Sequence, residues 1–277
     1  MIGKLFRRIR PGHNPSEDWT APLPRPSRPV CLIGDIHGQL GLLEDLLAQI
    51  AIQPGYKTAR IVVLGDMIDR GPDSAAVIAR LMAQKRTEPD RWICLMGNHE
   101  RMMLDFLADP AKAHRWLRHG ADATLLSYRV NTTPDRPQLT AQELRRNMPT
   151  EQYDWLNSLP LIWQGEPDLA AVHAAADPSR GLDRQKDHDL LWGHADFATK
   201  PRRDGYWIAH GHIITPEPVA HSGRISVDTG AWRNGVLTAA WLDADGLRFL
   251  QAKGHTSAGI AAKPAFTSDQ APLILRK

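Results

Sequence analysis

Only two cysteines, Cys31 and Cys94, occur in the 277 residues, and they form no Cys-x-x-Cys pair. This argues against both a disulfide framework and a thiolate zinc site. Each cysteine sits inside an apolar run that reads as a strand, so both are expected to be buried, reduced thiols. Nowhere is there an apolar stretch long enough to span a bilayer. The basic start, Met1 to Arg10, lacks the apolar segment of a signal peptide, which places the chain in the cytoplasm. Charge of one sign is scarce too: 34 Lys and Arg against 31 Asp and Glu leave a formal +3 and a pI near 8.9. That balance gives no field for nucleic acid, yet it is compatible with a negatively charged substrate.

With 42 % hydrophobic residues, the chain is long enough to bury a self-supporting core. Prolines 11, 15, 22, 24, 26 and 29 predict an extended, poorly packed leader over residues 1–29. From Val30 the pattern alternates. Val30 to Ile33, Ile61 to Leu64 and Trp92 to Met96 read as strands; Leu40 to Ile50, Ser74 to Gln84 and Glu100 to Leu107 read as helices. This alternation predicts parallel strands in an α/β core. Residues 108–168 are polar and helical in places, with Thr140 to Glu143 resembling a capping start and no evident chemistry. Beyond them, Leu169 to Val172, Tyr206 to Ala209, Ile225 to Val227, Val236 to Leu242 and Leu247 to Leu250 predict a second sheet. One catalytic domain over 30–252 is expected, followed by a loose tail, 253–277, in which Leu273 to Leu275 could dock back.

Three runs stand at strand ends: Gly34-Asp35-Ile36-His37-Gly38, Gly65-Asp66-Met67-Ile68-Asp69-Arg70-Gly71 and Gly97-Asn98-His99-Glu100. Ligands of open α/β sheets gather beyond the carboxyl ends of the strands. His173 follows a fourth strand and His212 a fifth. A lone histidine at a strand end is ordinarily structural, but five such ends carrying Asp, Asn and His together point to divalent metal of intermediate hardness. Strand alternation would turn His210 to the same side as His212, making it a candidate for a supporting group.

These motifs resemble the phosphoprotein phosphatase family of the calcineurin-like metallophosphoesterases, in order and spacing over residues 30 to 240. The resemblance implies an α/β fold, a metallophosphoesterase sandwich of two mixed β-sheets flanked by helices, with a dinuclear metal site between them. It makes Asp35 and His37 ligands of the first metal and Asp66 the carboxylate that bridges both. Asn98, His173 and His212 complete the second. His99 becomes the general acid, oriented by Asp69, while Arg70 and Asn98 hold phosphate oxygens. Two divalent ions are implied, manganese first, with iron, zinc or magnesium as alternatives. They lower the pKa of a bridging water so that hydroxide attacks phosphorus in line. The leaving alkoxide is a strong base and takes a proton from the imidazolium.

Two departures from the family matter. Relatives of the bacterial branch often place a phosphate-clamping Arg two residues after Leu-Trp, where this chain has His194 after Leu191-Trp192-Gly193. His194 is thus the candidate substrate contact, with Arg180, Arg184, Arg202 and Arg203 as alternatives. Ala174-Ala175-Ala176 stands where eukaryotic members carry a Gly pair, which favours the bacterial branch. The expected activity is hydrolysis of phosphomonoesters, including phosphoserine or phosphothreonine in proteins, with symmetrical diadenosine tetraphosphate hydrolysis as the alternative. Asp69-Arg70-Gly71 and Glu100 favour the former, since the nucleotide hydrolases typically carry Ala-Arg-Gly and Asp there. A fold retained without catalysis is disfavoured, because all six ligands and His99 are present. The expected partner is a phosphorylated protein or small phosphoester, with no nucleic acid and no membrane.

Overall fold

A computed structural model of the chain describes residues 19–131, 135–165 and 167–254, the side chains of 112–114 excepted. The strands are β1 (Val30–Ile33), β2 (Arg60–Val63), β3 (Trp92–Cys94), β4 (Ile162–Gly165), β5 (Leu169–Val172), β6 (Trp207–His210), β7 (Val219–His221), β8 (Arg224–Ser226), β9 (Val236–Asp243) and β10 (Gly246–Lys253). The helices are α1 (Leu40–Ala51), α2 (Ser74–Thr87), α3 (Asn98–Ala108), α4 (Ala113–Leu117), α5 (Ala121–Ser127), α6 (Pro137–Asn147), α7 (Thr150–Asn157), α8 (Asp187–Trp192) and α9 (Ala231–Asn234).

Two five-stranded mixed sheets result, ordered β10-β9-β1-β2-β3 and β4-β5-β6-β8-β7. Within the first, β1, β2 and β3 run parallel; within the second, β5, β6 and β8 do. Side chains alternate across each strand, so each sheet presents two apolar faces. Val30, Leu32, Val62, Ala240 and Leu242 meet Leu169, Ala171, Trp207, Ala209 and Ile225 between the sheets. Cys31, Ile33, Ile61 and Val63 point the other way, into a core shared with α1, α2 and α3. Leu42, Leu43, Leu46, Leu47 and Ile50 form the buried stripe of α1, which packs on β9 and β10. Both cysteines are buried and free, and burial pushes the Cys94 thiol up to about 12.

The expected membership of the second sheet needs correction at its end. β9 and β10 belong to the first sheet: β9 pairs antiparallel with β1, Val30 opposite Leu242 and Ile33 opposite Ala239, and β10 pairs with β9. Periodicity reveals which face a strand buries but not its neighbour, and these strands cover what would be the open edge of β1. Short strands β4 and β7 were not anticipated; β7 has an exposed Val219 and no apolar run. The capping start expected at Thr140 lies inside α6, which begins at Pro137, a residue whose fixed φ suits a first helical position. Thr140 is buried.

Of the expected leader, residues 1–18 lie outside the described residues, as do residues 255–277 of the tail, including Leu273 to Leu275. Residues 19–29 carry no regular element, as the prolines suggest, yet they are packed. Trp19 meets Trp207 edge to face at 5.9 Å between ring centroids, and Trp207 Nε1 donates to Pro22 O at 2.8 Å. Leu23 packs on the core between the sheets. Among the described residues, no helix is long and apolar enough to cross a membrane.

Candidate active site

The loops following β1, β2 and β3 meet those following β5 and β6 at one edge of the sandwich. The β2 loop is the most constrained. Asp66, Asp69 and Arg70 all take positive φ (47°, 72° and 70°), which costs energy for side chains bearing Cβ unless their surroundings hold them. Glu100, buried in the first turn of α3, supplies that hold: its carboxylate accepts backbone N–H groups of Gly97 (2.9 Å), Asp66 (3.0 Å), Met67 (2.8 Å) and Ile68 (3.2 Å). Burial, with the Asp66 charge, raises its carboxyl to about 7, against the pull of those donors. Gly97 must be glycine, because a Cβ there would lie 2.2 Å from Asp66 Oδ1. The sequence marked Glu100 only as a family feature, although a Glu at the third helical position is a capping signal.

Glu100→Gln is therefore expected to unfold more easily. An amide turns two hydrogens toward backbone N–H groups, leaving two buried donors without an acceptor, a loss of about 2–4 kcal/mol. Denaturant unfolding measures it; an unchanged midpoint would mean that Glu100 does not brace the loop.

Around Asp66 the imidazoles are oriented by their far nitrogens. His37 donates from Nδ1 to Ile68 O at 2.8 Å and His173 from Nδ1 to Leu64 O at 2.9 Å, so each presents a lone pair at Nε2. His37 Nε2 lies 3.5 Å from Asp66 Oδ2, and His173 Nε2 lies 3.4 Å from Asp66 Oδ1. His173 Nε2 also stands 2.8 Å from Asn98 Oδ1 and 3.2 Å from His212 Nδ1. Burial lowers His37 to about 3 and His212 to about 4, and it lowers His173 as well, so these rings are neutral near pH 7. Asp35 accepts the backbone N–H of His212 at 3.0 Å, across a Gly211 whose Cβ would lie 2.0 Å from Asp35 Oδ1.

Acceptor atoms facing acceptor atoms, beside several buried carboxylates, suit a bound cation. Asp35, Asp66, Glu100 and Asp228 are all buried here. Burial, then Asp228 and Asp66, push Asp35 well above the ordinary carboxylate range, and burial raises Asp228 to about 6. Two groups, His37 with Asp66 and His99, and Asp66 with His173 and His212, each bring ligand atoms within 4.8 Å of one another and share Asp66. The residues present therefore fit a pair of divalent ions. Asp228 was missed in the sequence, although Ile225 to Asp228 followed by Gly230 repeats the strand, Asp, Gly pattern of the other loops.

A third constellation surrounds Asp69. His99 Nδ1 donates to Asp69 Oδ2 at 2.6 Å; Trp116 Nε1 donates to the same oxygen at 2.9 Å, and Thr124 Oγ1 donates to Oδ1 at 2.6 Å. Burial works to lower His99, but the Asp66 and Asp69 charges outweigh it and raise the imidazole. Trp116 and Thr124 come from α4 and α5, in the stretch expected to carry no chemistry. Helical polar sequence gives no sign of which side chain turns inward.

His210 and His194 do not join these groups. Its strand alternation turns His210 to the outer face of the second sheet, where it meets Ser226 Oγ at 2.8 Å and the Phe197 ring at 5.0 Å. His212, at φ 65°, has left the strand, so the expected alignment of the two rings fails. His194 Nε2 faces Asp177 Oδ2 at 3.7 Å, and its Nδ1 accepts Asp196 N–H at 3.2 Å. The alternatives fare similarly: Arg180 pairs with Asp177, and Arg202 with Asp204 and the Asp177 and Arg180 carbonyls.

Comparison with known proteins accords with this geometry. The calcineurin-like phosphoesterase model matches residues 28–256. Over 220 residues the chain is 37 % identical to serine/threonine-protein phosphatase 1 of Salmonella typhimurium, spanning 77 % of this chain and 91 % of that protein. Over 232 residues it is 28 % identical to the asymmetrical bis(5'-nucleosyl)-tetraphosphatase PrpE of Oceanobacillus iheyensis, spanning 76 % and 87 %. A protein serine/threonine phosphatase structure from Saccharomyces cerevisiae aligns with a TM-score of 0.56 at 17 % identity, covering 83 % of this chain and 81 % of that one, a likeness of fold alone.

Proposed function

The chain belongs to the calcineurin-like phosphoesterase family, whose members use a dinuclear metal centre, and we propose that it hydrolyses phosphomonoesters, phosphoserine and phosphothreonine in proteins among them. The observation that carries this reading is the buried His99–Asp69 pair at 2.6 Å. An alkoxide leaving from a serine or threonine ester is strongly basic and needs a proton donor held in place. A nucleotide phosphate leaving group is far less basic and needs such a donor less.

In this reading Asp35, His37 and Asp66 would hold one ion, and Asp66, Asn98, His173 and His212 would hold the other. A donor set of oxygen and imidazole without thiolate suits manganese, and accepts iron, zinc or magnesium. When bound, the pair supplies Lewis acidity and hydroxide near neutral pH. The protein's own groups do the rest. Arg70 offers a fork of donors to phosphate oxygens, and Asn98 a further polar contact. His99 delivers its Nε2 proton to the leaving oxygen while Asp69 keeps the ring oriented. His194, which faces Asp177, takes no part in this reading.

The test is a side-by-side assay of phosphopeptides and dinucleoside polyphosphates with added manganese. Faster turnover of phosphopeptides is expected. A clear preference for the dinucleotides, the activity named for the Oceanobacillus relative, would overturn the reading.

A further inference from the structure

Arg70 is an unusual cation. Its backbone is pinned at φ 70° by the N–H bond to Gly120 O at 3.0 Å, and a Cβ at Gly120 would strike Arg70 Cγ at 2.7 Å, so the two segments touch. Its fork then spans the site, with NH1 3.2 Å from His37 Nε2 and NH2 3.2 Å from His99 Nε2. Yet among the described residues no carboxylate lies within ion-pair distance of it. What lies against the guanidinium is the indole of Trp232, 4.6 Å from ring centroid to Cζ.

We propose that Trp232 is a positioning residue that holds the Arg70 guanidinium at the edge of the site without neutralising it, so that its charge stays available to a phosphate group. This rests on the reading of Arg70 as the phosphate holder. A carboxylate could fix an arginine more firmly, but it would compete with the anionic substrate for the same fork of donors. An aromatic face attracts the cation through its quadrupole and itself occupies none of the N–H donors.

Trp232 is well placed for this task. Its side chain is 38 % exposed, which is unusual for so large an apolar group and unhelpful to the core. It sits on α9, a single turn framed by Gly230 and Gly235, both in the left-handed region. That turn is tied to the site by the Gly230 N–H bond to Asp228 Oδ1 at 2.9 Å and by Asn234 Nδ2 donating to Thr229 O at 2.9 Å. The indole also meets the His37 ring edge to face at 6.5 Å. A rigid turn thus carries an exposed indole to a guanidinium that, among the described residues, has no carboxylate within ion-pair distance.

The experiment is a double-mutant cycle on the manganese-loaded full chain: wild type, Trp232→Ala, Trp232→Phe, Arg70→Ala and Arg70→Ala with Trp232→Ala. The readouts are KM and kcat on an aryl phosphate, inorganic phosphate affinity by calorimetry, and bound metal. Trp232→Ala should raise KM and weaken phosphate about 3- to 20-fold, with bound metal unchanged and kcat less affected. Trp232→Phe should retain most of the affinity. In the Arg70→Ala background, Trp232→Ala should add less than about twofold, because groups acting through one contact are not additive. If Arg70→Ala weakens phosphate but Trp232→Ala does not, or if Trp232→Ala costs as much without Arg70 as with it, the positioning role is wrong while the function reading stands. If Arg70→Ala leaves phosphate affinity unchanged, the assignment of Arg70 fails and this role with it.

Discussion

Asp66→Asn is expected to lower kcat/KM on any phosphate ester by at least about a thousandfold, which is the several kcal/mol that a metal pair supplies. Among the described residues, Asp66 is the carboxylate shared by the two candidate metal groups at this edge of the sandwich. Its oxygens also receive the backbone N–H of His99 at 3.0 Å, so it joins the metal site to the α3 turn. An amide removes the charge that offsets two cations and offers only one oxygen. Burial alone would raise the Asp66 carboxyl, but the imidazoles around it and that N–H bond hold it below the ordinary range, so the native group is an anion. The check is bound metal per chain and turnover of an aryl phosphate, measured together. A variant that kept wild-type metal content and rate would remove the dinuclear assignment. Loss of metal with the fold intact is the expected result, because Glu100 and not Asp66 braces the β2 loop.

Much of the site was legible in one dimension because the three β-strand runs 30–33, 61–64 and 92–96 each end in a polar loop, and parallel strands bring such loops to one edge. The placement of Asp35, His37, Asp66, Asn98 and His99 at one edge follows from that alone, and His173 and His212 repeat it in the second sheet. The rest depended on pairing and direction, which periodicity does not encode. β9 and β10 look like continuations of the second sheet, since nothing in their apolar pattern names β1 as a neighbour. His210 and His212 share a face only if the strand continues, and the positive φ at His212 ends it. Trp116 and Thr124 are separated from Asp69 by 47 and 55 positions, on helices whose sequences carry no metal-ligand pattern. Trp19 to Pro29 looked unpacked because proline forbids regular structure. Packing requires only apolar groups at the right places, and Trp19 and Leu23 supply them.

His99→Ala should slow alkyl phosphate hydrolysis about 10²- to 10⁴-fold, the range for a general acid, and slow aryl phosphate hydrolysis far less. An aryl oxide leaves as a weaker base and takes little of the proton in the transition state. The pH profile gives an independent reading. The donor must be protonated, and the charges of Asp66 and Asp69 raise the His99 imidazole above its ordinary value of about 6.5 despite burial. The acid is therefore present below its pKa and lost as pH climbs through it, so kcat on alkyl phosphates should fall along a limb that follows His99. Asp69→Asn removes one of the charges that raise His99, along with its charged hydrogen-bond acceptor. That limb should then move to lower pH, with an alkyl rate reduced less than in His99→Ala. His99→Ala should abolish the limb altogether. Equal losses on alkyl and aryl substrates, or a limb that stays in place in Asp69→Asn, would mean that the proton reaches the leaving group from elsewhere.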